Sequence, residues 1–219
     1  MIGFISKACR QVALTFVLML PCLTAAQNSD LGNWLIYFGN KQFNQKWNLH
    51  HEVQYRNYNA IGDLEQLLLR TGLGYSFSGN NVLLGYGYIL SENYNEDYTK
   101  SSVNEHRIYQ QFITKQAIGS VALTHRYRFE QRFVEDDFKL RFRYFLSVNI
   151  LFKTDKPWYL SAYNEIFLNT ESDIFDRNRL YGGLGYKLNE KLKFELGYMN
   201  QFLQEGSRDQ INMITFFNF

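Results

Sequence analysis

"HRYRFEQRF" occupies residues 125–133 of the chain. Taken alternately, Arg126, Arg128, Glu130 and Arg132 fall on one side. Tyr127, Phe129 and Phe133 fall on the other, with His125 and Gln131 among them. A β-strand sends successive side chains to opposite faces, so this segment carries one ionic face and one aromatic face. In a soluble sandwich the aromatic face would be buried and the charges left in water. Which face is buried here depends on the rest of the chain.

The same contrast recurs on both sides of this stretch. In "WNLHHEVQYRNY", Trp47, Leu49, Val53 and Tyr55 oppose His50, Glu52, Gln54 and Arg56. In "KLRFRYFLSVNILF", Leu140, Phe142, Tyr144, Leu146, Val148 and Ile150 oppose Lys139, Arg141, Arg143, Ser147 and Asn149. "KLKFELGYMNQF" sets Leu192, Phe194, Leu196 and Tyr198 against Lys193, Glu195 and Gln201. Segments of this kind begin near Trp34, Lys46, Leu64, Val82, Asn104, Ser120, Lys139, Trp158, Arg177, Lys191 and Gln210. Turn residues separate them, and no linker divides them, so one domain is expected. Short turns ("NQ" at Asn44, "SGNN" at Ser78, "NE" at Asn189) alternate with longer polar links such as "ENYNEDYTKSSV" after Ser91. That alternation is the layout of a transmembrane β-barrel with short turns at one end and long loops at the other.

The composition agrees. Among 219 residues there are 16 Tyr and 19 Phe but only 2 Pro, which suits aromatic-rich strands. Mean hydropathy is −0.33, and no apolar run of helical span length follows the N-terminal segment. A barrel wall still fits, because only alternate residues of its strands face lipid. The expected fold is an all-β, antiparallel up-and-down transmembrane barrel of 10–12 strands spanning residues 27–219. An even strand number is the rule for single-chain bacterial barrels. The eleven candidates break it, so either a short strand hides in "QNSDLG" or the Trp34 segment lies outside the wall.

Residues 1–26 read as a cleaved secretory signal peptide. Lys7 and Arg10 precede the short apolar run "VALTFVLML", and small residues end at Ala26. Cys22 raises a lipoprotein alternative, which Pro21 directly before it fits poorly. Cys9 and Cys22 both lie in this segment, so the remainder has no cysteine and no disulfide or thiolate chemistry. Removing Lys7 and Arg10 leaves 21 basic and 21 acidic side chains, a neutral balance that suggests no nucleic-acid partner. The expected address is the bacterial outer membrane, with outer-membrane lipid and the barrel-assembly machinery as partners. A small solute or protein partner is left open. The chain ends in "NMITFFNF", and the terminal Phe219 fits an assembly signal.

On the ionic face parity collects Glu52, Arg56, Arg70, Glu105, Arg107, Arg126, Arg128, Glu130, Arg132, Arg141, Arg143, Glu165, Arg177 and Arg179. A buried core would not tolerate so much unpaired charge. Inside a barrel these groups form either an ion-pair network filling a narrow lumen or a lining selective for anions. The filled lumen is preferred. Trp47, Tyr75, Trp158 and Tyr186 share the apolar face near short turns and fit an aromatic girdle at one membrane interface.

At "NWLIYFGN", "WNLHHEVQYRNY", "EQLLLRTGLGY", "LLGYGYI", "EHRIYQQF" and "HRYRFEQR" the chain resembles a family of bacterial proteins catalogued as domain of unknown function 2490. The resemblance implies an outer-membrane barrel. It implies no activity, cofactor or catalytic residue.

The histidines are the remaining candidates for chemistry. Ser102 and His106 lie four residues apart near one end of a strand, as a lipid-modifying enzyme would use them, but no third orienting group or oxyanion donor can be placed. His50 and His51 are neighbours and point to opposite faces, which disfavours a metal site. No catalytic residue, metal or cofactor is assigned. A structural, accessory or narrow-solute role leads. A lipase or deacylase, a narrow anion-preferring channel and a loop-mediated partner-binding protein are the alternatives.

Overall fold

In a computed structural model the chain forms one closed barrel of eleven strands; residues 31–59, 62–152, 156–171 and 173–219 are described. The segment read as a signal peptide and the "QNSD" part of the hidden-strand alternative lie outside those residues. The strands are β1 (Gly32–Gln42), β2 (Trp47–Asn57), β3 (Leu64–Phe77), β4 (Asn80–Tyr94), β5 (Lys100–Ile118) and β6 (Val121–Val134). They continue with β7 (Asp137–Leu151), β8 (Trp158–Asn169), β9 (Phe175–Lys187), β10 (Leu192–Leu203) and β11 (Ser207–Asn218). Each pairs antiparallel with its sequence neighbour. The ring is closed by β1 against β11, in register from Gly32↔Gln210 to Asn40↔Asn218.

That closing pair is parallel, and the strand count requires it. In a meander successive strands reverse, so an odd number leaves the first and last running the same way. The even-number expectation is therefore corrected to eleven. The Trp34 segment is in the wall as β1, hydrogen-bonded on both sides. Its parity is hard to read because both faces are apolar: Trp34, Ile36 and Phe38 point inward, Leu35 and Tyr37 outward.

The strands run for 11 to 19 residues, at least as long as the roughly 9–11 that a tilted strand needs to cross a bilayer core. One mouth, where Gly32 starts, carries connections 58–63, 95–99, 135–136, 170–174 and 204–206. The other, where Phe219 ends, carries 43–46, 78–79, 119–120, 152–157 and 188–191. We call these the N-terminal and C-terminal mouths. Their connections differ little in length, contrary to the expected contrast of turns and loops. The polar stretch after Ser91 is mostly strand: β4 and β5 pair out to Tyr94↔Lys100 and turn through 95–99. Polar residues that extend a strand resemble a loop in sequence.

The polarity of the barrel is inverted. Among the described residues twenty-one polar or charged side chains are buried, against eleven hydrophobic ones. Leu35, Leu73, Leu84, Ile108, Leu180, Leu196 and Met213 are among many large apolar residues exposed on the outside. A water-soluble protein rarely shows so continuous an apolar surface. Polar rings on this face are paired across strands. His51 shares a hydrogen bond with Tyr37 at 3.0 Å, His106 with Tyr86 at 2.6 Å and His125 with Tyr144 at 2.9 Å. Among the described residues no helix is long and apolar enough to cross a membrane, a test that leaves strands out of account.

Candidate functional site

The interior of the barrel is built by the inward half of each strand. Across its middle and N-terminal part lies a lattice of guanidinium and carboxylate groups. Glu130, 0 % exposed, accepts from Arg141 Nη2 at 2.7 Å and Arg143 Nη1 at 2.6 Å, with Arg128 Nη1 at 3.7 Å. Arg143 turns its other edge to Glu165, with Nη2 at 2.6 Å and Nε at 3.1 Å. Glu165 also accepts from Arg126 Nη2 at 2.7 Å and faces Arg179 Nη1 at 3.8 Å. The planar guanidinium fork suits such two-sided bridging, where a lysine would offer a single point charge.

The lattice extends to both sides. Glu105 receives Arg107 Nη2 at 2.8 Å and a two-point contact from Arg132 at 2.6 and 3.0 Å. Glu52 receives Arg70 Nη1 at 2.8 Å and faces His50 Nε2 at 3.7 Å. Arg177 Nη2 reaches Asp176 at 3.1 Å, and Arg141 Nη1 reaches the same carboxylate at 2.9 Å. All fourteen charged residues that parity collects thus point into the barrel; Arg126, Arg132 and Arg177 are the partly accessible ones.

Two guanidinium groups are held chiefly by neutral partners. Arg56 donates to Gln54 and to Gln66 Oε1 at 2.6 Å, and its Cζ lies 3.7 Å from the centre of a Trp34 ring. Arg128 donates to Gln111 Oε1 at 2.9 and 2.6 Å and lies over Tyr109 at 4.6 Å. Arg179 sits between Trp34 at 4.7 Å and Phe167 at 4.6 Å. Gln54, Gln66, Gln111, Trp34, Tyr109 and Phe167 are parts of the site that a search for charge alone passes over. Their inward parity is the signal that finds them.

The C-terminal half of the lumen is different. It holds a cavity of ≈510 Å³ that reaches that mouth. Inward positions here are short: Gly72, Gly74, Ser76, Thr124, Ser147, Ser161, Gly183 and Gly185. Some of the glycines admit tyrosine rings lying flat on the wall. A Cβ on Gly185 would stand 2.1 Å from Tyr159 Cζ, and one on Gly85 2.3 Å from Tyr109 Cζ. Tyr159 and Tyr181 then both donate to Glu195, at 2.8 and 3.4 Å. Trp34, Ile36, Tyr181, Met199 and Ile214 form an apolar cluster inside the barrel beside the closing seam, with Phe38, Tyr163 and Phe216 against it.

The remaining sequence candidates fall elsewhere. Trp47 and Tyr75 pack edge to face at 5.0 Å on the outside, and Trp158 and Tyr186 do the same at 4.7 Å across β8 and β9. Both pairs lie near the C-terminal mouth. Phe219 continues the seam: its N–H donates to Asn40 O at 3.0 Å, and its ring packs against His51 and Phe217. Ser102 donates to Glu92 Oε1 at 2.7 Å while His106 is paired with Tyr86, so the hydroxyl and imidazole have separate partners. Among the described residues no group of three or more His, Cys, Asp or Glu side chains is placed to hold a metal ion.

Fold and site together define a closed β-barrel with an apolar exterior and an ionic, partly filled lumen. The chain belongs to the family described as "Protein of unknown function (DUF2490)", whose model matches residues 31–212. It is also 30 % identical over 164 residues to an uncharacterized protein of Methylorubrum extorquens, covering 68 % of this chain and 69 % of that one.

Proposed function

We propose that the protein is a bacterial outer-membrane barrel, exported by a cleaved signal peptide, whose lumen is blocked by its ionic lattice. Its role is then structural, accessory or confined to a narrow solute, and not that of an open pore. The observation that carries this reading is the bridged chain Arg141–Glu130–Arg143–Glu165–Arg126, which links three adjacent strands and extends into the lumen. Each carboxylate in it serves at least two guanidinium groups, so displacing either one breaks more than one buried ion pair. The apolar exterior supports a lipid environment. The Trp47–Tyr75 and Trp158–Tyr186 pairs supply amphipathic rings at the level of an interface, as membrane proteins use them.

Fractionation and planar-bilayer recording test this together. The protein is expected in the outer-membrane fraction, and reconstituted wild-type barrel should conduct little or only intermittently. A steady, large, anion-selective conductance that Arg128→Glu abolishes would replace the blocked lumen with a channel. Recovery of the folded protein as a soluble periplasmic species would remove the membrane reading itself.

A further inference from the structure

The cavity at the C-terminal mouth joins two surfaces that rarely meet in a plain packing defect. One side is apolar and continuous: Trp34, Ile36 and Phe38 from β1 stand beside Ile214 and Phe216 from β11. The deep and opposite sides are cationic. Seven Arg or Lys residues line the cavity against three Glu, with Lys115 and Lys193 nearer the opening and Arg126, Arg128 and Arg179 deeper. Its ≈510 Å³ lies inside the range of about 300–1,000 Å³ usual for small-ligand sites. The lattice closes it from beneath.

Arg126 is the group placed to meet a ligand. One edge of its guanidinium is held by Glu165 at 2.7 Å, and its plane lies over Phe145 at 4.4 Å. Its Nε is buried and has no hydrogen-bond partner among the described residues, while the side chain as a whole keeps 17 % of its surface accessible. It therefore stands at the boundary between the paired lattice and the open cavity. Surplus positive charge in a confined site of low dielectric attracts an anion, while the apolar wall is satisfied only by hydrocarbon.

We propose that this cup binds an anionic amphiphile, a medium-chain carboxylate being the simplest form, with its head toward Arg126 and its chain along the β1–β11 wall. The proposal rests on the blocked-lumen reading only in that the cup is blind. Binding is measured without current, so the two fail separately.

The test uses full-length barrel in bilayer discs of zwitterionic lipid, carrying Trp47→Phe and Trp158→Phe so that Trp34, in the cup wall, is the reporter. Octanoate, octanol and inorganic phosphate are titrated, with empty discs as the partition control. Octanoate should change Trp34 emission saturably and bind about tenfold or more tighter than octanol or phosphate. Arg126→Gln should weaken octanoate by about tenfold or more and leave octanol unchanged. Ser161→Phe, which fills the cup without touching the lattice charges, should abolish saturable binding if Arg126→Gln fails to insert. Octanol binding equal to octanoate would overturn the anionic head, and phosphate binding equal to octanoate would overturn the apolar wall. Absence of saturable octanoate binding to the wild type, or binding that survives Ser161→Phe, would overturn the site.

Discussion

Replacing Glu130 by alanine removes one of the two lattice carboxylates that each face three arginines. Glu130 is fully buried and accepts three hydrogen bonds, two from Arg141 and one from Arg143. Arg141 keeps Asp176 and Arg143 keeps Glu165 after the change, so neither cation is left without any partner. Arg128 loses its nearest carboxylate and keeps only Gln111 and the Tyr109 ring. Breaking a buried pair from one side typically destabilises by about 3–5 kcal/mol, and these remaining partners place the effect toward the lower figure. About 3 kcal/mol raises the unfolding equilibrium constant by roughly two orders of magnitude. Denaturant titration of the barrel in lipid vesicles should show a lower midpoint at unchanged slope, and the fast-migrating folded form on unboiled gels should be lost at lower temperature. Glu190→Ala, on an exposed turn, is the control and should stay within about 0.5 kcal/mol of wild type. A Glu130→Ala midpoint indistinguishable from that control would refute the argument. The lumen would then be wet enough to screen its charges.

Two further outcomes follow from other parts of the barrel. Gly185→Ala forces the Tyr159 ring off the wall and away from Glu195, so the same denaturant assay should report a loss of about 1–3 kcal/mol, whereas Gly182→Ala, where an added Cβ meets open space, should not. At the N-terminal mouth, burial alone would raise the Asp63 carboxyl, but hydrogen bonds from Lys100 and Tyr94 outweigh it and hold the group below the ordinary aspartate range. A depressed carboxylate stabilises above its unfolded pKa of about 3.9 and loses that contribution as pH falls through the lower folded value. Amide protection factors, each referred to the intrinsic exchange rate at that pH, at residues 62–63 and 95–100 should therefore fall below about pH 4 in the wild type, and Asp63→Asn should already show low protection at pH 7 with no further fall in this window.

Strand positions were legible because period-two alternation is strong wherever one face is ionic, as in β2, β6, β7 and β10. β1 was less so, since apolar residues on both faces leave no contrast to read. Trp34, Ile36 and Phe38 look lipid-facing in isolation and only their pairing with β2 and β11 turns them inward. The ends of β4 and β5 are hard to read for a different reason. Beyond an apolar band a strand has no need of hydrophobic residues, so Glu92, Asn93 and Ser101 resemble a loop while still pairing across the hairpin. The inward direction of the charged residues follows from parity alone. The division of the lumen does not follow from charge, which predicts a filled interior throughout. It follows from side-chain length: long Arg, Glu and Gln residues crowd one half, and Gly and Ser line much of the other.

The parallel seam has a consequence for traffic during assembly. In an even-stranded meander both chain ends emerge on the same side of the sheet, so neither has to cross the membrane that the barrel spans. Here β1 starts at one mouth and β11 finishes at the other. In the membrane-spanning barrel proposed above, whichever compartment supplies the unfolded chain, one end of the strand ring must be carried through to the far side before Gly32 and Gln210 can face each other. On that proposal, tags placed directly before Gly32 and after Phe219 should report on opposite compartments, and a bulky folded tag on the transported end alone should stall closure of the ring.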